Sequence, residues 1–317
     1  MSTDRTLAFS LAINEALHQM MESDPSVFLI GQGVKSPWYV GNTAQGLLER
    51  FGEARVIDTP VSENAMTGAA VGAALAGMRP VAVHPRMDFM FYAFDPIINE
   101  AANWHYMNGG RLPVPVVFWG IINRGGEQAA QHSQALQATF AHVPGLKVVM
   151  PSTPYDAKGL MIAAIRDPNP VVFIDERWLY RLEGPVPREI YEVEIGRAAV
   201  RRSGRDATLA AVSYMALEAA NAAEALSREG IDVELIDLRT VKPLDEEAIL
   251  ASIRKTGRLV VADGGWRSFG VAAEVAAIAS EKAFDSLKAP IRRVTLPDCP
   301  APASPSLEKA YYPSSED

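Results

Sequence analysis

The sequence predicts an α/β protein of two consecutive units, each a parallel sheet covered by helices in three layers. Short β-branched runs alternate with longer stretches of helical period along almost the whole chain, the pattern of parallel strands joined by helical crossovers. The alternation breaks once, at Leu182–Pro187, where Pro185 and Pro187 open a polar strip that runs to Arg205, and then restarts. At ~100–200 residues per domain, 317 residues suffice for two cores. The expected division is therefore 1–184 for the first unit, 185–205 for a connection and 206–317 for a smaller second unit.

In the first unit, strands are expected at Val27–Ile30, Arg55–Asp58, Pro80–His84, Val114–Trp119, Lys147–Met150 and Val171–Ile174. Helices are expected at Thr6–Ser23, Asn42–Phe51, Asn64–Ala76, Phe91–Met107 and Tyr155–Asp167. The second unit reads as strands Thr208–Val212, Val233–Asp237, Arg258–Ala262 and Ile291–Thr295 around helices Met215–Arg228, Asp245–Thr256 and Val271–Phe284. The polar ending LEKAYYPSSED reads as a surface tail.

Composition narrows the function. The chain has 38 acidic against 30 basic residues, net charge −8, with no basic stripe to displace counterions from a phosphate backbone, so nucleic acid is not an expected partner. Its longest apolar stretches, such as Leu112 to Asn123, fall short of the ~20 residues of a membrane span. MSTDRTLAFS lacks the pattern of a secretory signal, so a cytoplasmic protein is expected. A single cysteine, Cys299, excludes a disulfide within the chain and a cysteine-based metal cage. His18, His84, His105, His132 and His142 show no metal-ligand spacing.

Two glycine clusters imitate nucleotide-binding turns. Gly31-Gln32-Gly33 follows a strand, but the sixth position is Ser36 and Pro37-Trp38-Tyr39-Val40 cannot start the required helix. Gly264-Gly265 is followed by the bulky run Trp266-Arg267-Ser268-Phe269, which fits a packed turn better.

Three segments carry chemistry. In Asp58-Thr59-Pro60-Val61-Ser62-Glu63-Asn64, Glu63 opens the small-residue helix MTGAAVGAALAG. A carboxylate there suits the helix dipole, or exchanges a proton with a bound heterocycle across an apolar cleft. Gly68 and Gly72 let another backbone approach that helix closely. In the second segment, His84 to Asp95, Phe89 is either core or a stacking platform for a flat ring. His84 and Arg86 fit a core poorly and are expected to face a polar or anionic ligand. The third, Asn123 to Gln134, is a glycine-containing loop after a strand, where His132 is either a solvated histidine or an acid–base group.

Together these segments resemble the beta subunit of the thiamine-diphosphate-dependent 2-oxo acid dehydrogenases, of pyruvate or branched-chain type. The similar strings are RVIDTPVSENAMTGAAVGAALAGMRPV, DFMFYAFDPIINEAAN, HSQALQATFAHVPGLKVVMPSTPYDAKGLMIAAIRDPNPVVF and IDLRTVKPLDEEAILASIRKTGRLVVAD, in the family's order and over nearly the whole chain. The resemblance implies a pyrimidine-binding transketolase-like domain followed by a transketolase C-terminal-like domain. It implies that Glu63 hydrogen-bonds N1′ of the cofactor's aminopyrimidine, that Phe89 packs on that ring, and that His132 faces substrate and lipoyl group; Val61, beside Glu63, is expected to line the same pocket. It also implies a structural potassium ion near Ala164, Asp167 and Asn169.

The family holds the cofactor diphosphate through Mg²⁺ at a GDG motif, and no GDG occurs in this sequence. The resemblance therefore implies an alpha subunit that carries it in an α2β2 heterotetramer, with a lipoyl acyltransferase core as a further partner. Three departures surround the substrate side. Gln32-Gly33 stands where the family has an acidic pair, Val83-His84-Pro85-Arg86 replaces EIQF, and Ser36 to Gly41 replaces a glycine-rich loop. They point to a more polar or specialised substrate. Two alternatives stay open: a two-subunit transketolase-like or acyloin-forming or acyloin-cleaving enzyme, and a non-catalytic paralogue.

Overall fold

The computed structural model describes residues 5–36, 39–126 and 128–317. The first unit begins β1 (Thr6–Ala8), α1 (Phe9–Ser23), β2 (Val27–Gly31), α2 (Leu47–Phe51), β3 (Val56–Asp58), α3 (Glu63–Leu75) and β4 (Arg79–His84). A 3₁₀ turn (Met87–Ala93) and a π-helical turn (Asp95–Ala101) lead to α4 (Ala102–Met107) and β5 (Val117–Ile122). There follow α5 (Gln137–Ala141), β6 (Lys147–Val149), α6 (Pro154–Arg166), β7 (Val171–Glu176) and β8 (Glu183–Pro185). The second unit contains β9 (Ala199–Arg202), β10 (Ala207–Ala211), α7 (Tyr214–Arg228), β11 (Val233–Asp237) and β12 (Thr240–Lys242). It ends with α8 (Glu246–Thr256), β13 (Leu259–Trp266), α9 (Val271–Lys282), β14 (Arg292–Leu296) and α10 (Pro305–Tyr311).

The larger sheet has the order β12-β6-β7-β5-β4-β2-β3 and is parallel except for β12; the smaller, β14-β13-β10-β11-β9, is parallel except for β9. Because strand side chains alternate, the large sheet divides its apolar residues between two cores. Val27, Leu29, Val81 and Val83 pack under α1 and α6, and Phe28, Ile30 and Ala82 pack on the opposite side under α3. This second core runs on without interruption into Ala210, Ile236 and Ile253 of the second unit, so the two units share one apolar interior.

Several sequence expectations shift for local reasons. Thr6–Ala8 is the strand β1, paired with β8 some 180 residues later, rather than the first turn of a helix. The helix expected over Asn42–Phe51 shrinks to α2, because Asn42 and Gly46 adopt positive φ. Val114–Trp119 moves to Val117–Ile122, since Pro113 and Pro115 lack the amide protons a central strand needs. The single helix expected over Phe91–Met107 is 3₁₀, then π, then α, with Pro96 unable to donate at the junction. Within the expected connection 185–205, Ala199–Arg202 forms β9 on the edge of the second sheet. The ending read as a surface tail contains α10, whose Tyr311 is buried and donates to the Cys299 carbonyl at 2.8 Å.

The decoy glycines find structural uses. A Cβ on Gly31 would lie 2.5 Å from the Val83 carbonyl oxygen, so this residue permits β2 and β4 to approach. Cβ atoms on Gly264 and Gly265 would meet Arg124 and Gln137, two side chains that reach across from the first unit.

Candidate active site

The expected site residues lie at the carboxyl ends of the neighbouring strands β3, β2, β4 and β5, the position where open α/β sheets bind ligands. After β3, Asp58 accepts from the Val34 amide at 3.1 Å and Thr59 donates to the Gly31 carbonyl at 3.1 Å, which anchors the turn before α3. Glu63 is the first residue of α3, at the positive end of its dipole. Among the described residues its carboxylate has no hydrogen-bond or ion-pair partner, although it is partly buried.

Glu63, Val61, His84, Arg86 and Phe89 line one cleft of about 480 Å³, completed by residues such as Pro60, Met66 and Tyr39. Phe89 sits in the 3₁₀ turn after β4, and the His132 ring meets it edge-on, centroids 5.4 Å apart at 87°. Asp88 makes that approach possible. Its Oδ1 accepts from the Gln134 amide at 3.0 Å, tying the His132 loop to the Phe89 turn, while its Oδ2 is buried without a partner. Burial pushes the Asp88 carboxyl up, against the stabilising hydrogen bonds of Gln134 and the nearby His132. Sequence reading passed over Asp88 because one acid within an aromatic run carries no spacing signal.

His84 and Arg86 share the cleft but not a chemistry. His84 is fully buried, its Nε2 lies 3.2 Å from the Thr67 hydroxyl, and burial pushes its pKa down to about 3. It is a neutral imidazole at physiological pH, so only Arg86 brings positive charge. Arg86 is half-buried; it donates to its neighbour's Pro85 carbonyl at 3.1 Å and lies 5.9 Å from the Tyr39 ring centroid. Gln32, in the departed acidic position, donates to the Tyr39 hydroxyl at 2.8 Å.

Ala164, Asp167 and Asn169 lie apart from this cleft, at the end of α6 and in the turn to β7. Arg79 donates to the carbonyls of Ile165 at 2.8 Å and Asp167 at 3.3 Å, and Lys147 pairs with the Asp167 carboxylate. The Asn169 side-chain oxygen is buried without a partner. Since a guanidinium already holds two carbonyls of this turn, the residues fit a potassium ion only in part. Among the described residues no cluster of three or more His, Cys, Asp or Glu could hold a metal ion, and no helix is long and apolar enough to cross a membrane.

Residues 5–183 match the family described as "Transketolase, pyrimidine binding domain", and residues 196–317 match "Transketolase, C-terminal domain". A solved structure titled "Split gene transketolase, inactive beta4 tetramer" has the same fold, with a TM-score of 0.80 at 23% identity over 98% of this chain and 95% of that one. These define the class, a two-domain transketolase-like chain. The acetoin:2,6-dichlorophenolindophenol oxidoreductase subunit beta of Cupriavidus necator is 46% identical, over 98% of this chain and 94% of that protein. The pyruvate dehydrogenase E1 component subunit beta of Rickettsia conorii is 45% identical, over 96% and 94%. The chain belongs to this family of beta subunits of thiamine-diphosphate-dependent 2-oxo acid dehydrogenases.

Proposed function

We propose that the chain is the catalytic beta subunit of a heteromeric enzyme that oxidatively decarboxylates a 2-oxo acid and passes the acyl group to a lipoyl domain. The observation that carries the reading is Glu63, a carboxylate at a helix start with no partner among the described residues, in the cleft that Phe89 also lines. Bound there, thiamine diphosphate supplies an electron sink for the bond to the departing carboxylate. Glu63 would hold a proton against the ring nitrogen of the aminopyrimidine, Phe89 would pack on its face, and Val61 lines the same pocket. His132, held in place through Asp88 and Gln134, orients the substrate carbonyl and the incoming acceptor.

An alpha subunit supplies the diphosphate and Mg²⁺ site in this reading, because GDG is missing from the chain. The exposed face of α3 supports a close partner: at Gly68 and Gly72 a Cβ would meet no atom within 4 Å, so these glycines leave room for a chain outside this one. An α2β2 assembly and a lipoyl acyltransferase core complete the proposal. A cytoplasmic location is part of the same proposal. A structural potassium at Ala164, Asp167 and Asn169 is left out of it, because Arg79 meets two carbonyls of that turn.

Acyloin cleavage is the second reading, favoured by the acetoin-oxidising relative. Dye reduction by the chain purified with its alpha partner tests both. Turnover of 2-oxo acids supports the first, turnover of acetoin alone supports the second, and absence of both with cofactor bound points to a non-catalytic paralogue.

A further inference from the structure

We infer that Arg86 forms an anion subsite for the non-reacting end of the donor, so that the preferred substrate is a 2-oxo acid with a second carboxylate on its side chain; this rests on the function proposed above. Arg86 lines the cleft with Glu63 and Phe89, and among the described residues its buried Nε has no partner and it forms no ion pair. A half-buried guanidinium without a counter-charge is costly, and its fork matches a carboxylate in shape and charge.

The surroundings reinforce the demand for an anion. Arg177 stands close enough to repel Arg86 and donates to the Tyr39 carbonyl, so two guanidiniums flank Tyr39. Asp88 and Tyr39 act on Arg86 with opposing effect, but among the described residues no carboxylate oxygen forms an ion pair with the guanidinium. His84, deeper in the same wall, is uncharged and its Nδ1 is buried without a partner among the described residues, so it adds no charge beside the cation.

The reacting carboxylate is the wrong occupant. Its negative charge moves away as CO₂ leaves, so an arginine on it would hold the ground state more tightly than the transition state. An arginine on a remote carboxylate binds both equally and gives selectivity.

The test uses the chain purified with its alpha partner, and compares 2-oxoglutarate and 2-oxoadipate with 2-oxobutyrate and 2-oxohexanoate. Expected is a kcat/KM for the acidic donors at least about 10-fold higher, a ratio that Arg86→Met lowers by on the order of 10–100-fold and Arg86→Lys lowers less. Equal or better use of uncharged donors by the unmodified enzyme, or an Arg86→Met effect identical for both classes, overturns the subsite and leaves the proposed function standing. Should no donor turn over, that function fails, and calorimetric titration of the complex with glutarate against pentanoate decides the subsite alone. Tighter glutarate binding that Arg86→Met abolishes supports it; indifference between the two sinks it. Copurification of the alpha partner with each variant shows that the fold is retained.

Discussion

Arg124 and Glu176 form an ion pair at 3.4 Å in which both side chains are only 2% exposed, and the same guanidinium donates to the Gly264 carbonyl of the second unit. One arginine thus pairs with an acid of the first unit and ties the two units together at the start of the loop that carries His132. Tyr312, from the end of the chain, closes over it with its ring 5.5 Å from the guanidinium.

Replacing Arg124 with methionine leaves Glu176 buried without its counter-ion and Gly264 without its donor. Removal of one partner from such a pair costs about 3–5 kcal/mol. Urea unfolding should show a loss of that order, partly recovered by adding Glu176→Gln. Additive losses in the double variant would show that the two side chains do not depend on each other.

Glu63→Gln keeps the shape of the side chain and removes the proton-holding role proposed for it. Turnover of the assembled enzyme should fall by on the order of 10²–10⁴-fold with the alpha partner still bound. A variant within about threefold of the parent would exclude Glu63 from the chemistry.

Phe89→Ala removes the edge contact with His132 and, in the proposed site, the surface on which the aminopyrimidine would pack. Stacking adds about 0.5–1.5 kcal/mol beyond buried area, so cofactor affinity should fall roughly 10-fold or more. Fluorescence titration with thiamine diphosphate and Mg²⁺ measures this directly, and an unchanged dissociation constant would place the cofactor elsewhere.

Two buried groups give opposing pH dependences. The His84 pKa is pushed down to about 3 by burial, so the unfolded chain, titrating near 6.5, takes up a proton that the folded chain refuses. Its contribution is intact above about pH 6.5 and is lost as the pH falls toward 3. Asp175, buried against Trp119 and Tyr180, is pushed up to about 7, so the folded chain keeps a proton that the unfolded one releases near 3.9. Its contribution is present at low pH and is lost as the pH rises toward 7. Relative to the parent, His84→Gln should therefore gain stability as pH falls below 6.5, and Asp175→Asn as pH rises from 4 to 7. Each slope is at most about 1.4 kcal/mol per pH unit. Denaturation midpoints across pH 4–8 check both signs, and parallel curves for all three proteins would contradict the buried titrations.

Strands such as Val27–Gly31 and Val233–Asp237 were legible as short β-branched runs buried on both faces, Tyr214–Arg228 by its amphipathic period, and Glu63–Leu75 by its run of small helix-forming residues. Strands β1, β8, β9 and β12 were not, since each is short and exists through a partner distant in sequence. The quoted strings singled out Glu63, Phe89 and His132 one by one, and the fold brings Glu63 and Phe89 into one cleft with His132 against the Phe89 ring. Nothing local to the sequence foretold the Asp88–Gln134 tie, or that Arg177 stands near Arg86.

Alternation of apolar character along the chain determined a pair of parallel-sheet units, and the order of its strings determined the family. Tertiary structure decided which polar groups meet. Arg124 bridges the units, His84 becomes a neutral buried imidazole, and Arg86 is left facing the cleft with no carboxylate paired to it among the described residues. The reason is physical: periodicity reports which face of an element leaves water, whereas a charge takes its meaning from neighbours that only folding brings within a few ångströms.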